Sequence, residues 1–383
     1  MSNRDVQLKN TFLCFNMEYS HVAPSLTFVL TTFNQEFLIK RVIESIINHS
    51  SLPSELIVID DRSEDGTLST IINLVCDKNW ENGAVSRVSI YSNKTSRFET
   101  YCDDFGIRLA KTDHVVLVQS DVILTEEKFD SKLIAALKYF PDIMMISARG
   151  TEPIQPVANF FQKSNGSVIG LGLLTLFMTR KNVPKSIHWL ISYICVLSYF
   201  IETRIAVLKS MRKSNSSIQR DEDKDRVKEL CIDVERPLLA DFIQTSKAGY
   251  LSAYDTTNKS GFDTNGSVWL GQTVMRGPVA LDRSKYLNVG GFDLESCFLG
   301  FDDHEITLRA YQKFQFRVGF LPIGYQSSME WGATRRKRSL KQSRIAILNC
   351  LRIANKRKLT NLYTISDKNV IPLPMPEIRE FPL

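Results

Sequence analysis

The first 150 residues alternate between two hydrophobic patterns. Unbroken apolar runs, typical of buried strands, occur at 25–34 (SLTFVLTTFN), 55–61 (ELIVIDD) and 114–121 (HVVLVQSD). After the first run, apolar residues recur at helical spacing: Phe37, Leu38, Val42, Ile43, Ile46 and Ile47. Strands that are apolar throughout and separated by helices predict an α/β fold, with a mostly parallel sheet covered on both faces.

The same alternation continues as far as residue 150. A further strand is predicted at 85–93, helices are predicted around 103–110 and from 126 to 140, and a last strand follows within 142–150. Ligands of such sheets bind beyond the carboxyl ends of the strands. The polar residues that directly follow a strand are therefore the candidates for function.

The chain outside this alternation divides by composition. The middle segment is irregular and contains an apolar run and a highly charged stretch, after which core-like sequence returns. We expect an N-terminal extension (1–22), the first half of the α/β domain (23–150), an irregular insertion (151–265, with an apolar helix at 187–201 and a mobile charged loop at about 209–236), the second half of the domain (266–330) and a basic C-terminal extension (331–383).

The apolar run at 187–201 has two interpretations. Its fifteen residues are too few to span a bilayer comfortably. The run has basic residues on both sides, which suits a helix lying in a membrane surface. A helix packed on the domain or on another subunit has the same pattern. A peripheral membrane contact and a homo-oligomer therefore both stay open.

Charge and cysteine content narrow the class of protein. The formal net charge is +6, and ten Lys or Arg with no Asp or Glu lie between Arg335 and Lys358, so the excess is local. A basic segment of this kind attracts phosphate groups. It lacks interleaved aromatic residues, and we expect no nucleic-acid partner. The seven cysteines are scattered, and the N-terminus has no apolar signal segment, so we expect a cytoplasmic protein.

Carboxylates mark three candidate sites. Asp60 and Asp61 end one predicted strand, and Asp121 ends another. The third site is the run FDDHEITLR, which contains Asp302 and Asp303. Carboxylates at strand ends can hold a divalent cation through hard oxygen ligands. A carboxylate within reach of a hydroxyl group can act as a general base.

Four segments together resemble the family 2 glycosyltransferases, which have the GT-A fold. They are LTFVLTTFN, IVIDDRSEDGT, VLVQSDVIL and GPVALDRSKYLNVGGFDLESCFLGFDDHEITLRA, in that order along residues 25–323. The resemblance implies a Rossmann-like sheet and an inverting, metal-dependent transfer from a nucleotide-sugar donor. The donor is expected to be UDP-linked, and the acceptor a saccharide or a lipid-linked molecule, as in polysaccharide biosynthesis.

The resemblance also implies a donor site. Thr31, Phe33 and Asn34 would line the nucleotide pocket, and Asp61 would hydrogen-bond the base. Asp60 is expected to be a packing or helix-start residue. For Asp65, a helix cap and a ligand function stay open.

The metal and catalytic residues follow from the same resemblance. Asp121 matches the last acid of the Asp-x-Asp element and would bind Mn²⁺ or Mg²⁺ together with the donor diphosphate. Asp303 matches the catalytic base, and Asp302 beside it is a candidate contact for the acceptor or the diphosphate. Three residues of the C-terminal segment are candidates for the acceptor or the diphosphate: Trp331, Arg335 and Arg336.

Three positions depart from the family pattern. Gln119 stands where the first acid of the metal element is usual, which predicts weaker metal affinity. Asp103 and Asp104 replace an Arg-Asn pair near the nucleotide. These departures favour an alternative, a non-catalytic nucleotide-sugar-binding module of the same fold. A Rossmann oxidoreductase is disfavoured because no G-x-G-x-x-G follows the first strand.

Overall fold

The computed structural model describes most of the two predicted domain halves. The described residues are 10–76, 80, 83–152, 232–233, 251–252, 266–274, 276–294, 302–321, 323–327, 374 and 377–382. Several predictions lie outside them: the helix at 187–201, the charged loop apart from 232–233, and Trp331, Arg335 and Arg336.

Helices and strands are numbered here in chain order over the described residues. The helices are α1 (Ile39–His49), α2 (Thr67–Cys76), α3 (Glu99–Leu109), α4 (Phe129–Tyr139), α5 (Arg283–Val289) and α6 (Asp302–Phe314). The strands are β1 (Thr11–Glu18), β2 (Leu26–Thr32), β3 (Ser54–Asp60), β4 (Val85–Asn93), β5 (His114–Gln119), β6 (Ile123–Leu124), β7 (Ile143–Ser147), β8 (Gly150–Glu152), β9 (Ile232–Asp233), β10 (Leu251–Ser252), β11 (Ser267–Gly271), β12 (Thr273–Val274), β13 (Val279–Asp282), β14 (Arg317–Phe320), β15 (Tyr325–Ser327) and β16 (Glu377–Glu380).

One large mixed sheet organises the fold. Within the described part of the chain it contains ten strands, in the order β1-β4-β3-β2-β5-β13-β7-β14-β11-β16. Neighbours among β4, β3, β2 and β5 are parallel, whereas β13 lies antiparallel between β5 and β7. The predicted α/β fold with mostly parallel central strands is confirmed.

Helices cover both faces of this sheet, because side chains alternate along each strand. Leu30 and Val58 are fully buried on one face, in a core with residues of α1, α2 and α4. Val29 and Ile59 are fully buried on the other face, with residues of α3, α5 and α6. Alternate residues of one strand thus enter different cores, which explains why these strands are apolar without interruption.

Both ends of the described chain belong to the sheet. Within the segment predicted as an N-terminal extension (1–22), β1 pairs antiparallel with β4 from Thr11 to Glu18. At the other end, β16 pairs antiparallel with β11 from Glu377 to Glu380. The Arg379 guanidinium fixes β16 by donating to both carboxylate oxygens of Asp142, at 2.8 and 2.7 Å.

Two helix starts differ from the sequence prediction. α3 begins at Glu99, four residues earlier than expected, and this places Glu99 and Asp103 on one helix. α4 begins at Phe129, because Lys128 before it is left-handed, with φ of 57°. Glu126 is held in the preceding loop, where it accepts from the Gly324 backbone and pairs with Lys132.

Across the ranges that the structure describes, we find no helix with both the length and the hydropathy needed to cross a bilayer.

Candidate functional site

The carboxyl ends of four parallel strands meet at one edge of the sheet. Thr32 pairs with Asp60, Asp60 pairs with Ser92, and Thr31 pairs with Gln119. The register therefore brings the candidate donor residues of three separate sequence segments together, as predicted for a sheet of this type.

Asp61 organises the loop that joins β4 to α3. It is 3% exposed, and its carboxylate accepts four hydrogen bonds. The donors are the Asn93 amide (2.7 Å), the Ser96 hydroxyl (2.6 Å) and the backbone N–H groups of Arg97 (2.7 Å) and Phe98 (2.9 Å). The oxygens of Asp61 therefore hold the loop between β4 and α3 in place. The contact of Asp61 with a nucleotide base stays a prediction.

Asp60 closes the turn after β3, as expected for a packing residue. It accepts from the Ser63 backbone (3.0 Å) and hydroxyl (2.5 Å), and from the Ser92 hydroxyl (3.3 Å). Burial raises the pKa of Asp60, and the hydrogen bonds from Ser63 and Ser92 oppose this. The buried charge is thus satisfied within its own turn.

Asn34 joins the loop after β2 to the loop after β3. Its backbone N–H donates to the Ser63 hydroxyl (2.9 Å), and its side-chain oxygen accepts from the Glu64 backbone (2.8 Å). Asn34 has φ of 51°, a left-handed conformation that asparagine tolerates. Phe33 before it is half-buried. Both residues thus lie on the loop that the sequence assigns to the nucleotide.

Asp65 caps the start of α2. Its carboxylate accepts from the Thr67 backbone (3.0 Å) and the Thr67 hydroxyl (2.5 Å). Burial would raise the pKa of Asp65, but the hydrogen bonds from Thr67 and the Glu36 backbone outweigh it and lower the pKa. The cap accounts for this acid without a ligand.

A partly buried ion-pair cluster lies between α3 and α6, and the sequence did not reveal it. Arg276, which follows β12, contacts Asp103 (2.9 Å), Glu99 (3.2 Å) and Asp302. We call these four residues the Arg276 cluster. Thr31 also contacts it, since its hydroxyl donates to the other Asp103 oxygen at 2.7 Å.

Burial governs the protonation of this cluster. It raises the pKa of Asp103 to about 7, although the Arg276 guanidinium acts in the opposite direction. Burial likewise raises the pKa of Asp302 to about 6, against Arg276 and together with the negative charge of Asp303. A single guanidinium therefore compensates several carboxylates that would otherwise repel one another.

Asp104 is a structural residue. Its two oxygens accept from the Tyr286 hydroxyl (2.8 Å) and from Nε of Arg108 (2.8 Å). Its carboxylate therefore links α3 to α5. Since Asp103 contacts Arg276, both acids that depart from the family pattern have cationic or hydrogen-bonding partners.

The three acids at the start of α6 differ in exposure. The Asp302 and Glu305 side chains are 5% and 1% exposed, whereas Asp303 is 22% exposed. Glu305 binds Arg309 through two hydrogen bonds, at 2.9 and 2.7 Å. Arg309 in turn donates to the backbone oxygens of Val289 and Gly291, and so holds the loop after α5. Of these acids, Asp303 is the one that solvent reaches.

Asp303 is held as a carboxylate by its neighbour. One oxygen accepts from the His304 backbone (2.8 Å) and lies 3.0 Å from Nδ1 of the same residue. Burial would raise the pKa of Asp303, but the charge and hydrogen bonds of His304, helped by Arg276, lower it. An ionised, partly exposed carboxylate can accept a proton from a bound hydroxyl group.

The end of β5 supplies oxygen ligands that suit a divalent cation. Asp121 is half-buried there. The Gln119 amide donates to Glu99 at 2.7 Å, while its oxygen is buried and has no hydrogen-bond partner among the described residues. Across those residues no group of three or more His, Cys, Asp or Glu side chains is arranged to hold a metal ion.

Residues 27–188, which contain the whole strand edge described above, match the sequence family described as glycosyl transferase family 2. Over these residues the chain is similar to the family 2 glycosyltransferases. A segment of 110 residues is also 27% identical to a protein of Haemophilus influenzae named as an uncharacterized glycosyltransferase. That segment covers 29% of this chain and 41% of the relative, so the chain spans less than half of that protein's length.

Solved structures similar to this chain include two complexes with Mn²⁺. They are GalNAc-T7 with UDP, GalNAc and Mn²⁺, and mannosyltransferase PcManGT from Pyrobaculum calidifontis with GDP-Man and Mn²⁺. The TM-scores are 0.42 and 0.41 at 12% and 13% identity. The matches cover 80% and 96% of this chain, and 44% and 82% of the other chains. The similarity to family 2 glycosyltransferases rests on residues 27–188 and not on these structures.

Proposed function

We propose that this chain is a family 2 glycosyltransferase. It would transfer a sugar from a nucleotide diphosphate donor, UDP-linked in our proposal, to a saccharide or lipid-linked acceptor, with inversion at the anomeric carbon. The observation that carries the proposal is the contrast among the acids of α6. Asp303 alone among Asp302, Asp303 and Glu305 is both ionised and open to solvent, as a general base must be.

The reaction would be a single displacement. Asp303 takes the proton of the acceptor hydroxyl while that oxygen forms a bond to the anomeric carbon. The bond from the anomeric carbon to the diphosphate breaks at the same time, and its electron pair leaves with the nucleoside diphosphate. Attack from the side opposite the leaving group inverts the configuration.

The donor would bind at the strand edge. Phe33 and Asn34 lie on the loop after β2, and Asp61 and Thr31 fix the neighbouring loop and helix. Preformed loops of this kind orient a substrate without further ordering on binding. Asp61 and Thr31 would thus act on the donor largely indirectly, because they hold the loop between β4 and α3, and α3 itself, in place.

Asp121 would hold a divalent cation, Mn²⁺ or Mg²⁺, and the unpartnered Gln119 oxygen at the same strand end fits this assignment. When bound, such a cation neutralises negative charge on a departing diphosphate. Because Gln119 is neutral, the chain contributes less negative charge than an Asp-x-Asp element would. We therefore expect cation binding to require the nucleotide.

A non-catalytic nucleotide-sugar-binding module is the second candidate, and Gln119 is the feature that favours it. Asp103 and Asp104 no longer favour the non-catalytic module, because their carboxylates contact Arg276, Arg108 and Tyr286. Both candidates bind a nucleotide sugar, but only an enzyme releases the nucleotide.

The test is a panel of nucleotide sugars incubated with the full chain and Mn²⁺ or Mg²⁺, with release of nucleoside diphosphate as the readout. We expect release with at least one UDP-sugar, increased by an acceptor saccharide or a lipid-linked acceptor. Donor binding by calorimetry without any release would favour the non-catalytic module. Neither binding nor release would refute both candidates.

We further propose that the chain works in the cytoplasm, at the inner face of a membrane. The support is the basic segment from Arg335 to Lys358, whose charge suits anionic headgroups or a phosphate-linked acceptor. Sedimentation with anionic liposomes tests this, and neutral liposomes are the control. Equal recovery of the protein with anionic and neutral liposomes would contradict the proposal. Whether the chain is a homo-oligomer is a separate question, which size-exclusion chromatography answers.

A further inference from the structure

Arg276 connects two parts of the domain that are distant in sequence. Its guanidinium donates to Asp103 on α3 and contacts Asp302, the first residue of α6. We propose that Arg276 is a positioning residue, which fixes the start of α6 and thereby holds Asp303 at the donor edge. This inference rests on the function proposed above.

The guanidinium is held on several sides. One terminal nitrogen contacts Asp103 at 2.9 Å and Glu99 at 3.2 Å, and the other lies 3.3 Å from the Thr100 hydroxyl and pairs with Asp302. Its planar group also lies over the Phe292 ring, 5.1 Å from the centroid. A planar fork with several fixed partners has one favourable orientation, which a lysine ammonium cannot reproduce.

The backbone of Arg276 is fixed as well. Its carbonyl oxygen accepts from the Arg149 guanidinium at 2.8 Å. The next residue, Gly277, packs so closely on Arg149 that a Cβ there would lie 2.6 Å from the Arg149 Cβ. The side chain of Arg276 therefore starts from a backbone anchored to the end of β7.

The partner carboxylates are ordered in turn. The Thr31 hydroxyl donates to Asp103 at 2.7 Å, and the Gln119 amide donates to Glu99 at 2.7 Å. Both of those residues lie at the ends of the central parallel strands, β2 and β5. Arg276 thus fixes Asp302 relative to the ends of β2 and β5. Asp303 is fixed with it, because it is the next residue in the chain.

Charge gives the same residue a second effect. The charged groups that face Asp302 and Asp303 are Arg276, Glu99, Asp103 and His304. Arg276 lowers the pKa of both aspartates, so it favours the ionised form that the reaction needs. Removing its charge should raise the pKa of the base and move the acidic limb of the rate profile to higher pH.

The test compares Arg276→Met and Arg276→Lys with the wild-type chain in the nucleotide-release assay, over a range of pH. For Arg276→Met we expect kcat to fall about a hundredfold and the acidic limb to move up by about one pH unit, with the donor KM changed by less than about threefold. For Arg276→Lys we expect about a tenfold loss of kcat, because the fork is lost, but an acidic limb close to that of the wild type.

Arg379→Met is the matched control, because Arg379 also forms a bidentate ion pair but lies on β16, at the far edge of the sheet. We expect it to keep the wild-type kcat and pH profile. Wild-type kcat for both Arg276 variants would overturn the inference. A loss of kcat in the Arg276 variants that is no larger than the loss in Arg379→Met would also overturn the inference. If Arg276→Met does not fold by circular dichroism, the kcat and KM of Arg276→Lys decide the question.

Failure of the proposed function gives a different result. In that case the wild-type chain itself releases no nucleotide, and the positioning inference falls with the function. If the wild type releases nucleotide and the Arg276 variants have the same kcat as the wild type, the function stands and the inference alone is refuted.

Discussion

The Arg276 guanidinium lies 2.9 Å from the carboxylate of Asp103, although 173 residues separate them in the chain. Asp103 precedes the segment predicted as an insertion (151–265), and Arg276 follows it. Their ion pair is largely buried, and Asp302 extends it to α6. The pair therefore joins α3 to the start of α6.

Gln119 should determine the cation requirement. Gln119→Asp adds a charged oxygen ligand beside Asp121, whereas Gln119→Asn has the same length and stays neutral. Because carboxylate charge tunes cation affinity, we expect Gln119→Asp to lower the Mn²⁺ concentration for half-maximal nucleotide release by about tenfold relative to Gln119→Asn. A titration with Mn²⁺ at saturating donor measures this. Equal requirements in the two variants would show that position 119 does not face the cation.

Asp61 should contribute more stability than Asp60. Two of the four donors to Asp61 are backbone N–H groups, which cannot become acceptors, and Asn would direct an amide N–H at them. We expect Asp61→Asn to lower the free energy of unfolding by about 2–4 kcal/mol. Asp60→Asn is the matched control with a smaller loss, because hydroxyl groups of Ser63 and Ser92 can reorient. Urea unfolding measures both, and a smaller loss for Asp61→Asn would contradict the hydrogen-bond account.

Asp103 should make the stability depend on pH. Its pKa is raised to about 7 in the folded chain, so the folded state binds this proton more tightly than the unfolded state does. The stability that the protonated form provides is complete below the unfolded pKa, about 4, and is lost as the pH rises through about 7. We expect the unfolding free energy of Asp103→Asn to vary less between these limits than that of the wild type.

Asp282→Asn is the control for this effect. Burial would raise the pKa of Asp282, but hydrogen bonds from Lys285 and Ser284 outweigh it and lower the pKa. The stability provided by Asp282 is therefore present above the unfolded pKa and lost only as the pH falls below about 4. Urea unfolding from pH 4 to pH 8 should separate the two variants. Parallel curves for Asp103→Asn and the wild type would contradict the raised pKa.

The sequence predicts the sheet well because its signal is local. A strand such as β3 is apolar on both faces, and Asp60 and Asp61 follow it directly, so one segment indicates both the strand and the candidate site. The parallel register then places Thr31, Asp60 and Gln119 at one edge without further information. Fold class and the position of the strand edge could therefore be predicted.

The Arg276 cluster could not be predicted, because its members have no shared local pattern. Arg276 lies between two short strands, and nothing around it distinguishes it from a surface arginine. Asp103 and Asp104 stand where the family pattern has an Arg-Asn pair, and their adjacent helix positions direct them to Arg276 and to Tyr286. The different exposure of Asp302 and Asp303 also depends on tertiary packing, since both residues begin the same helix.

The sheet edges were missed for a related reason. β1 is an edge strand, and its exposed Phe12 and Leu13 break the continuous burial that marks the central strands. β16 is only four residues long and is rich in charge. Short, charged edge strands are usual because they discourage pairing with other chains. They carry little of the hydrophobic signal by which strands are recognised.

Asp303→Asn tests the central claim most directly, since it removes the proposed base and keeps the shape of the side chain. Nucleotide release is measured with a saturating donor and acceptor, and donor binding is measured separately by calorimetry. We expect turnover to fall about a thousandfold while the donor affinity stays within about twofold of the wild type. Asp282→Asn, which replaces an acid at the start of α5, should keep full turnover. Wild-type turnover by Asp303→Asn would contradict the assignment of Asp303 as the base.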